Sequence, residues 1–303
     1  SGKSVRPPAS AVLPTTIVPQ QGSADRWRAI RHGISGTVSI PDKKAGIMVQ
    51  SQGESWRLLK EGTLRSTGMW VLLATVLLLA AYYLTRGRIR VDSGMSGRTV
   101  ERFGQSERFG HWLSATTFIV LALTGLNLMY GRFVLLPILG ADAFSALTDF
   151  GKMAHNYLAF GFMVGLVIMF KNWAKDNMPD ATDSAWLAQG GGFFGKGGHP
   201  PAKKFNAGQK FIFWTVIIGG VVMAVTGLIL LFPFAVTDIY GMQTTSLIHS
   251  ALALFMTAVM IAHIYIGSLG MQGAFAAVST GQVEVNWARE NHSLWVKDSA
   301  KRK

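Results

Sequence analysis

The chain contains no cysteine. That excludes disulfides, thiolate metal sites, cysteine-ligated iron–sulfur clusters and covalently attached c-type haem within it. A bound metal must rest on histidine, methionine or carboxylates. Charge is scarce too: 15% of the 303 residues are Asp, Glu, Lys or Arg, against about 25% in soluble domains. With 49% hydrophobic residues and a mean hydropathy of +0.29, this is a membrane composition. Acidic residues are the rarer sign, 16 against 29 basic, leaving a formal charge of +13. In a soluble protein that excess points to nucleic acid. In a membrane protein, where the charges fall relative to the spans comes first.

Crossing a bilayer core takes roughly 20 mostly apolar residues per helix. Five stretches qualify: Met69 to Thr85, His111 to Tyr130, His155 to Phe170, Phe211 to Phe232, and Leu247 to about Ser268. Trp and Tyr mark their ends (Trp70, Trp112, Tyr130, Trp173, Trp214, Tyr265), as in interfacial belts. The division is an N-terminal segment 1–66, an extra transmembrane helix 67–86, a four-helix region 87–268 and a C-terminal tail 269–303. The opening residues, "SGKSVRPPASAVLPTTIVPQQGS", are rich in Pro, Ser and Gly and read as extended. The first residue is Ser rather than Met, as it would be after removal of a leader. The one internal echo is "ALTGL" (Ala122 to Leu126) against "AVTGL" (Ala224 to Leu228).

Loop charge sets the orientation. The 86–110 loop, the 171–210 loop and the C-terminal tail share one side and carry seventeen Lys and Arg, whereas the opposite loops carry only Arg132 and Lys152. The first side is read as cytoplasmic, with the N-terminal segment outside. That segment is basic as well, but long segments translocate largely regardless of charge.

Four of the seven histidines lie in the last four spans: His111, His155, His249 and His263. The others (His32, His199, His292) read as surface residues of tail or loops. Ionisable groups inside membranes are costly and usually functional. One histidine could be a hydrogen-bonded packing residue; four are harder to explain that way. His249 and His263 are fourteen residues apart, which on a helix is about 21 Å and within roughly 40° of the same face. Following the chain through the membrane pairs His155 with His249 near the outer face, and His111 with His263 near the inner one. Two bis-histidine layers suit two b-type haems with axial imidazoles. Zinc, preferring four ligands, fits worse, and no carboxylate lies inside these four spans to help. A histidine proton relay would not require the matched layering. Gly125 and Gly227 fall near the outer layer's depth, where a flat macrocycle needs a wall without side chains; small-residue helix packing is the competing reading. Gly161 and Gly165, with GxxxG spacing, fit that packing role better.

The segments "ERFGHW" (Glu107 to Trp112), "KMAHNYLAF" (Lys152 to Phe160), "KFNAGQKFIFW" (Lys204 to Trp214), "LIHSALALFMTAVMIAHIYIGS" (Leu247 to Ser268) and "NWARENH" (Asn286 to His292) together resemble the gamma subunit of membrane-bound formate dehydrogenase, a di-haem cytochrome b. The likeness covers about residues 100 to 298. "SIPDKKAGIMVQSQGESWR" (Ser39 to Arg57) with the first span is similar to the longer proteobacterial members. The resemblance implies an all-α membrane protein: a four-helix transmembrane di-haem cytochrome b bundle plus one extra N-terminal transmembrane helix. In the family, a molybdenum or tungsten catalytic subunit oxidises formate outside the bacterial cytoplasmic (inner) membrane, and the formate site is on that subunit. An iron–sulfur subunit passes the electrons on. They cross two haem b groups to quinone (ubiquinone or menaquinone), with proton uptake on the cytoplasmic side. Carried over, the resemblance assigns His155 and His249 to the outer haem and His111 and His263 to the inner.

By the same resemblance, Asn206 and Gln209 in "FNAGQKF" are quinone-site candidates. They equally make a helix N-cap and capping-box pair. Lys210 either assists or marks the membrane face, and Arg102 and Arg108 either meet haem propionates or anchor the cytoplasmic side. Alternatives are a b-type cytochrome subunit of a hydrogenase or another molybdenum oxidoreductase, and a haem-free membrane anchor or transporter. A transporter would show inverted repeats and interrupted spans, and neither is visible.

Overall fold

The computed structural model describes residues 36–37, 47–49, 52–192 and 199–301. His32, Lys196, Arg302, Lys303 and most of the segment 1–66 lie outside them. The described residues up to Arg57 form one unit and those from Leu58 a second. In the first, strands β1 (Gly36–Thr37) and β2 (Ile47–Val49) pair antiparallel, Gly36 opposite Val49. Helix α1 (Gln52–Arg57) follows, closed by an Arg57–Glu54 ion pair at 2.8 Å.

The second unit begins with a wide π-helical turn (Leu58–Leu64) that runs into α2 (Arg65–Arg86). Strand β3 (Thr99–Glu101) precedes α3 (Gln105–Val134). The one-turn α4 (Leu136–Leu139) carries Pro137, and Gly140 at φ 76° turns the chain into α5 (Ala141–Trp173). Only glycine adopts that backbone conformation without strain. Then come α6 (Ala181–Ala188), α7 (Ala207–Leu231), α8 (Ile239–Tyr265), α9 (Ala276–Ser279), strand β4 (Gln282–Glu284), α10 (Val285–Asn291) and α11 (Ser293–Lys301). Among the described residues, five helices are long and apolar enough to cross a membrane. The protein is thus an all-α, multi-span membrane protein, as the sequence predicts.

Close approach of the spans rests on small residues, which let backbones draw together. Gly161 and Gly165 of α5 receive Thr117 and Ser114 of α3, so the GxxxG pair packs helices as expected. In α7, Gly219 faces Met256 of α8 and Gly220 faces Leu166 of α5. Helix α2 lies on α8, with Gly68 against Leu254 and Tyr130 Oη donating to the Arg65 carbonyl at 2.9 Å. A buried cluster of Phe162, Leu166, Met169 and Trp173 from α5 and Phe213, Val216 and Ile217 from α7 fills the bundle. Large apolar side chains such as Leu78, Leu84 and Tyr157 point outward, as lipid contact requires.

Three expectations change. His155 does not open its helix: α5 starts at Ala141. The added turns carry Asp142, Asp149 and Lys152, too polar to be read as membrane span, yet they stay helical beyond the apolar run. The tail from residue 269 also folds into a cap. β4 pairs antiparallel with β3, Val100 opposite Val283. Glu284 accepts Ser96 N–H at 2.6 Å and Trp287 N–H at 2.9 Å, and Glu290 accepts Asp92 and Ser93 N–H at 3.0 and 2.8 Å. His292, read from sequence as a surface residue, is 1% exposed, its ring tilted at 47° against Trp287 and its Nδ1 2.8 Å from the Lys203 carbonyl. The three basic segments assigned to one side therefore meet at one end of the bundle.

Candidate functional site

The four span histidines come together in two pairs. His155 of α5 and His249 of α8 lie with ring centroids 6.4 Å apart and planes at 60°. His111 of α3 and His263 of α8 lie 6.3 Å apart at 59°. An imidazole–metal bond is about 2 Å, and the ring centre sits roughly 1 Å further back, so two imidazoles on opposite sides of one metal have centroids about 6 Å apart. Both pairs match that spacing. Among the described residues no three His, Cys, Asp or Glu side chains gather as a metal site. Each layer thus offers two nitrogen donors. That suits a metal whose other ligands come from a macrocycle, so the residues present fit a b-type haem at each layer.

The pairs differ in their surroundings. Thr124 Oγ of α3 lies 2.8 Å from His155 Nδ1, and Thr226 Oγ of α7 lies 2.9 Å from His249 Nδ1. Gly125 and Gly227 follow these threonines in the chain. A Cβ at Gly125 would stand 3.6 Å from His155 Cε1, and one at Gly227 would stand 3.5 Å from His249 Cε1. Both glycines therefore border His155 and His249. In the His111–His263 pair, His111 Nδ1 is buried without a partner. The His111 ring meets Trp112 edge-on at 5.5 Å and lies 6.4 Å from Trp173.

Of the polar candidates near the cap, Asn206 and Gln209 form the capping-box pair the sequence allows, whereas Lys210 and Arg102 are placed differently from expectation. Asn206 Oδ1 accepts Gln209 N–H at 2.9 Å, and Gln209 Oε1 accepts Asn206 N–H at 3.1 Å. This reciprocal capping box starts α7, and it leaves both side-chain NH2 groups outside the box. Lys210 is no marker of the membrane face. It is 4% exposed, with Nζ 2.9 Å from both Asp180 and Asp183, and so binds α7 to the first turn of α6. Asp180 is the N-cap of that helix; burial pushes its pKa up, but bonds from Thr182, Lys210 and Lys203 outweigh this and hold it well below the carboxylate range. Arg102 is no exposed anchor either. It is 4% exposed, ringed by Phe103, Phe205, Trp287 and Trp295, and donates to the Lys204 carbonyl at 2.6 Å. Burial lowers its pKa to about 9, against the opposing pull of Glu107. Arg108 donates to the Ser279 carbonyl at 3.0 Å.

Sequence reasoning passed over Glu107, Thr124 and Thr226. The threonines had a visible signal, since "ALTGL" and "AVTGL" occur once on each helix that precedes the helix of His155 or His249.

Residues 102–274, which hold α3, α5, α7 and α8 with all four histidines, match the model of the prokaryotic cytochrome b561 family. The chain belongs to that family. This cytochrome b561 member is also distantly and consistently homologous to cytochrome b556 subunits of formate dehydrogenases. It is 26% identical over 206 residues to the formate dehydrogenase cytochrome b556(fdo) subunit of Escherichia coli K12, covering 67% of this chain and 94% of the relative. The nitrate-inducible cytochrome b556(Fdn) subunit of the same strain is 26% identical over 200 residues, 64% and 89% of the two chains. The cytochrome b556 subunit of Haemophilus influenzae is 26% identical over 197 residues, 63% and 79%. Helix α2 and the cap from β4 onward lie outside the family match.

Proposed function

We propose that the chain is the membrane-anchoring di-haem cytochrome b subunit of a formate dehydrogenase. It takes electrons from an iron–sulfur partner at the outer face of the bacterial inner membrane and delivers them to quinone at the cytoplasmic face. The observation that carries this reading is the pair of histidine layers with centroids 6.4 and 6.3 Å apart. The names of the homologous subunits support formate dehydrogenase as the parent complex. His155 and His249 would hold the outer haem, and His111 and His263 the inner. Haem b, when bound, supplies reversible one-electron chemistry.

The chain's own residues supply the setting. Apolar side chains from α5 and α7 exclude water between the layers. Gly125 and Gly227 leave room beside the outer histidines. The free NH2 groups of Asn206 and Gln209, at the basic end of the bundle, would donate to a quinone carbonyl near the inner layer. Protons for quinone reduction would enter from that same end. The loop-charge bias supports a cytoplasmic cap and an outer N-terminus. A molybdenum or tungsten subunit and an iron–sulfur subunit would complete the complex, with formate bound on the former.

The test is purification of the complex from its native membrane. Reduced-minus-oxidised spectra should show b-type bands, and pyridine haemochrome should count two haems per chain. A haem-free complex that still reduced quinone would overturn the reading. Identifying the co-purifying chains separates formate dehydrogenase from a hydrogenase or another molybdenum enzyme.

A further inference from the structure

The "ALTGL" and "AVTGL" echo has a physical counterpart. Helix α3 presents Thr124 to His155 of α5, and α7 presents Thr226 to His249 of α8, at 2.8 and 2.9 Å. Each threonine hydroxyl also donates backward to its own helix. Thr124 Oγ reaches the Val120 carbonyl at 2.7 Å, and Thr226 Oγ reaches the Val222 carbonyl at 2.7 Å. A hydroxyl has one proton. With that proton on the carbonyl, the oxygen can only accept from the histidine, so Nδ1 of both rings must carry hydrogen. Nε2 is left as the lone-pair donor on both outer rings. The inner layer has no such arrangement on His111, whose Nδ1 is buried without a partner.

Hydrogen bonding at the far nitrogen fixes the tautomer of a ligating histidine and raises its basicity. A more basic imidazole stabilises the ferric state over the ferrous state. We propose that Thr124 and Thr226 are positioning residues that hold both outer histidines as Nε2 donors and set the outer haem at a lower reduction potential than the inner one. The inference rests on the di-haem reading. Its consequence is a direction. Electron exchange between the two layers would make and break no bond: an electron leaving the outer centre would reduce the inner, and a reduced iron–sulfur partner would resupply the outer. Two threonines placed 102 positions apart would thereby bias flow toward the quinone side.

The test uses the purified complex carrying Thr124→Val, Thr226→Val or both, with the Thr→Ser variants as rescue. Valine keeps the shape and removes the oxygen; serine keeps the oxygen. Potentiometric titration of the b-type bands should show the lower-potential haem shifting upward in each Val variant, further in the double. The higher-potential haem should stay in place, and the Ser variants should restore the wild-type titration. Low-temperature EPR should show altered g values for the lower-potential component alone. Loss of the outer haem in the Val double variant, with both haems retained in the Ser double variant, would equally support the positioning role; second-shell loss typically weakens metal binding roughly 10–100-fold. Two retained haems with unmoved potentials, or a shift confined to the higher-potential haem, would overturn it. A wild-type complex with fewer than two haems would instead overturn the di-haem reading itself.

Discussion

The Glu107 carboxylate accepts the Trp173 indole N–H at 2.6 Å, joining the first turn of α3 to the last residue of α5. The same oxygen takes Lys204 Nζ at 2.7 Å, and the other accepts the Gly104 N–H at 2.8 Å. Glu107 lies one turn before His111, and Trp173 borders the His111 ring. This carboxylate therefore braces the frame around His111. Hydrogen bonds to charged groups contribute about 1.5–3 kcal/mol each. With exposure and relaxation, Glu107→Ala is expected to lower stability by roughly 2–3 kcal/mol. Thermal unfolding in detergent would measure it, and haem loss should affect the inner component before the outer.

The capping box at α7 and a quinone role for the same residues can be separated. Asn206→Asp keeps the capping oxygen, and Gln209→Glu keeps the reciprocal one, because acidic residues serve equally well at both positions. Each change removes the NH2 group. If those groups bind quinone, both variants should unfold at wild-type temperature while the KM for quinone rises several-fold. Unchanged quinone kinetics would leave the pair with its helix-capping role alone.

Space beside the outer histidines is finely graded. A Cβ at Gly125 or Gly227 makes ordinary contact with the neighbouring ring at 3.6 or 3.5 Å. Alanine should therefore be accepted at either position with both haems kept. Leucine must push His155 or His249 aside. Gly125→Leu and Gly227→Leu should each deplete the outer haem, as counted by pyridine haemochrome, and leave the inner one.

The cap should loosen in acid. Burial pushes the pKa of His292 well below its ordinary value, and Arg102 pushes in the same direction. His292 is thus neutral in the folded cap, with Nδ1–H donated to the Lys203 carbonyl. Once released it would titrate near 6.5. Below that pH the unfolded chain binds a proton that the folded cap refuses, so stability is full above about 6.5 and falls as pH drops toward the folded pKa. Glu284 adds a second loss. Burial raises its pKa, but bonds from Ser96 and Trp287 outweigh this and hold it below the usual value. Its contribution is present above about 4.3 and fades as pH falls through the folded pKa. Hydrogen exchange across residues 282–296, corrected for intrinsic rates, should show protection falling between about pH 7 and pH 5. His292→Asn, which can still donate but does not titrate, should flatten that change.

The spans and the histidine pairing were legible because both follow from periodic properties. Apolar runs mark lipid depth, and fourteen residues on one helix mark two depths on one face. The ends of α5 were not legible that way. Ala141 to Ala154 holds Asp142, Asp149 and Lys152, and its helix starts at the Gly140 turn, with Phe144 filling the space at Gly131. The burial of His292, Arg102 and Lys210 was hidden for another reason. Each depends on partners far along the chain: Lys203 for His292, Lys204 for Arg102, Asp180 and Asp183 for Lys210. Basic residues near a membrane edge read as exposed until those partners are known. Thr124 and Thr226 fell between, visible as an echo but without meaning until the rings beside them were placed.

On the proposed reading, His155 and His249 hold one haem while His111 and His263 hold another. The most direct measurement is the haem count per chain in a complex carrying His155→Ala. One haem per chain is expected, with the component assigned to His111 and His263 keeping its spectrum and potential. Two haems retained, or equal loss of both spectral components, would contradict it.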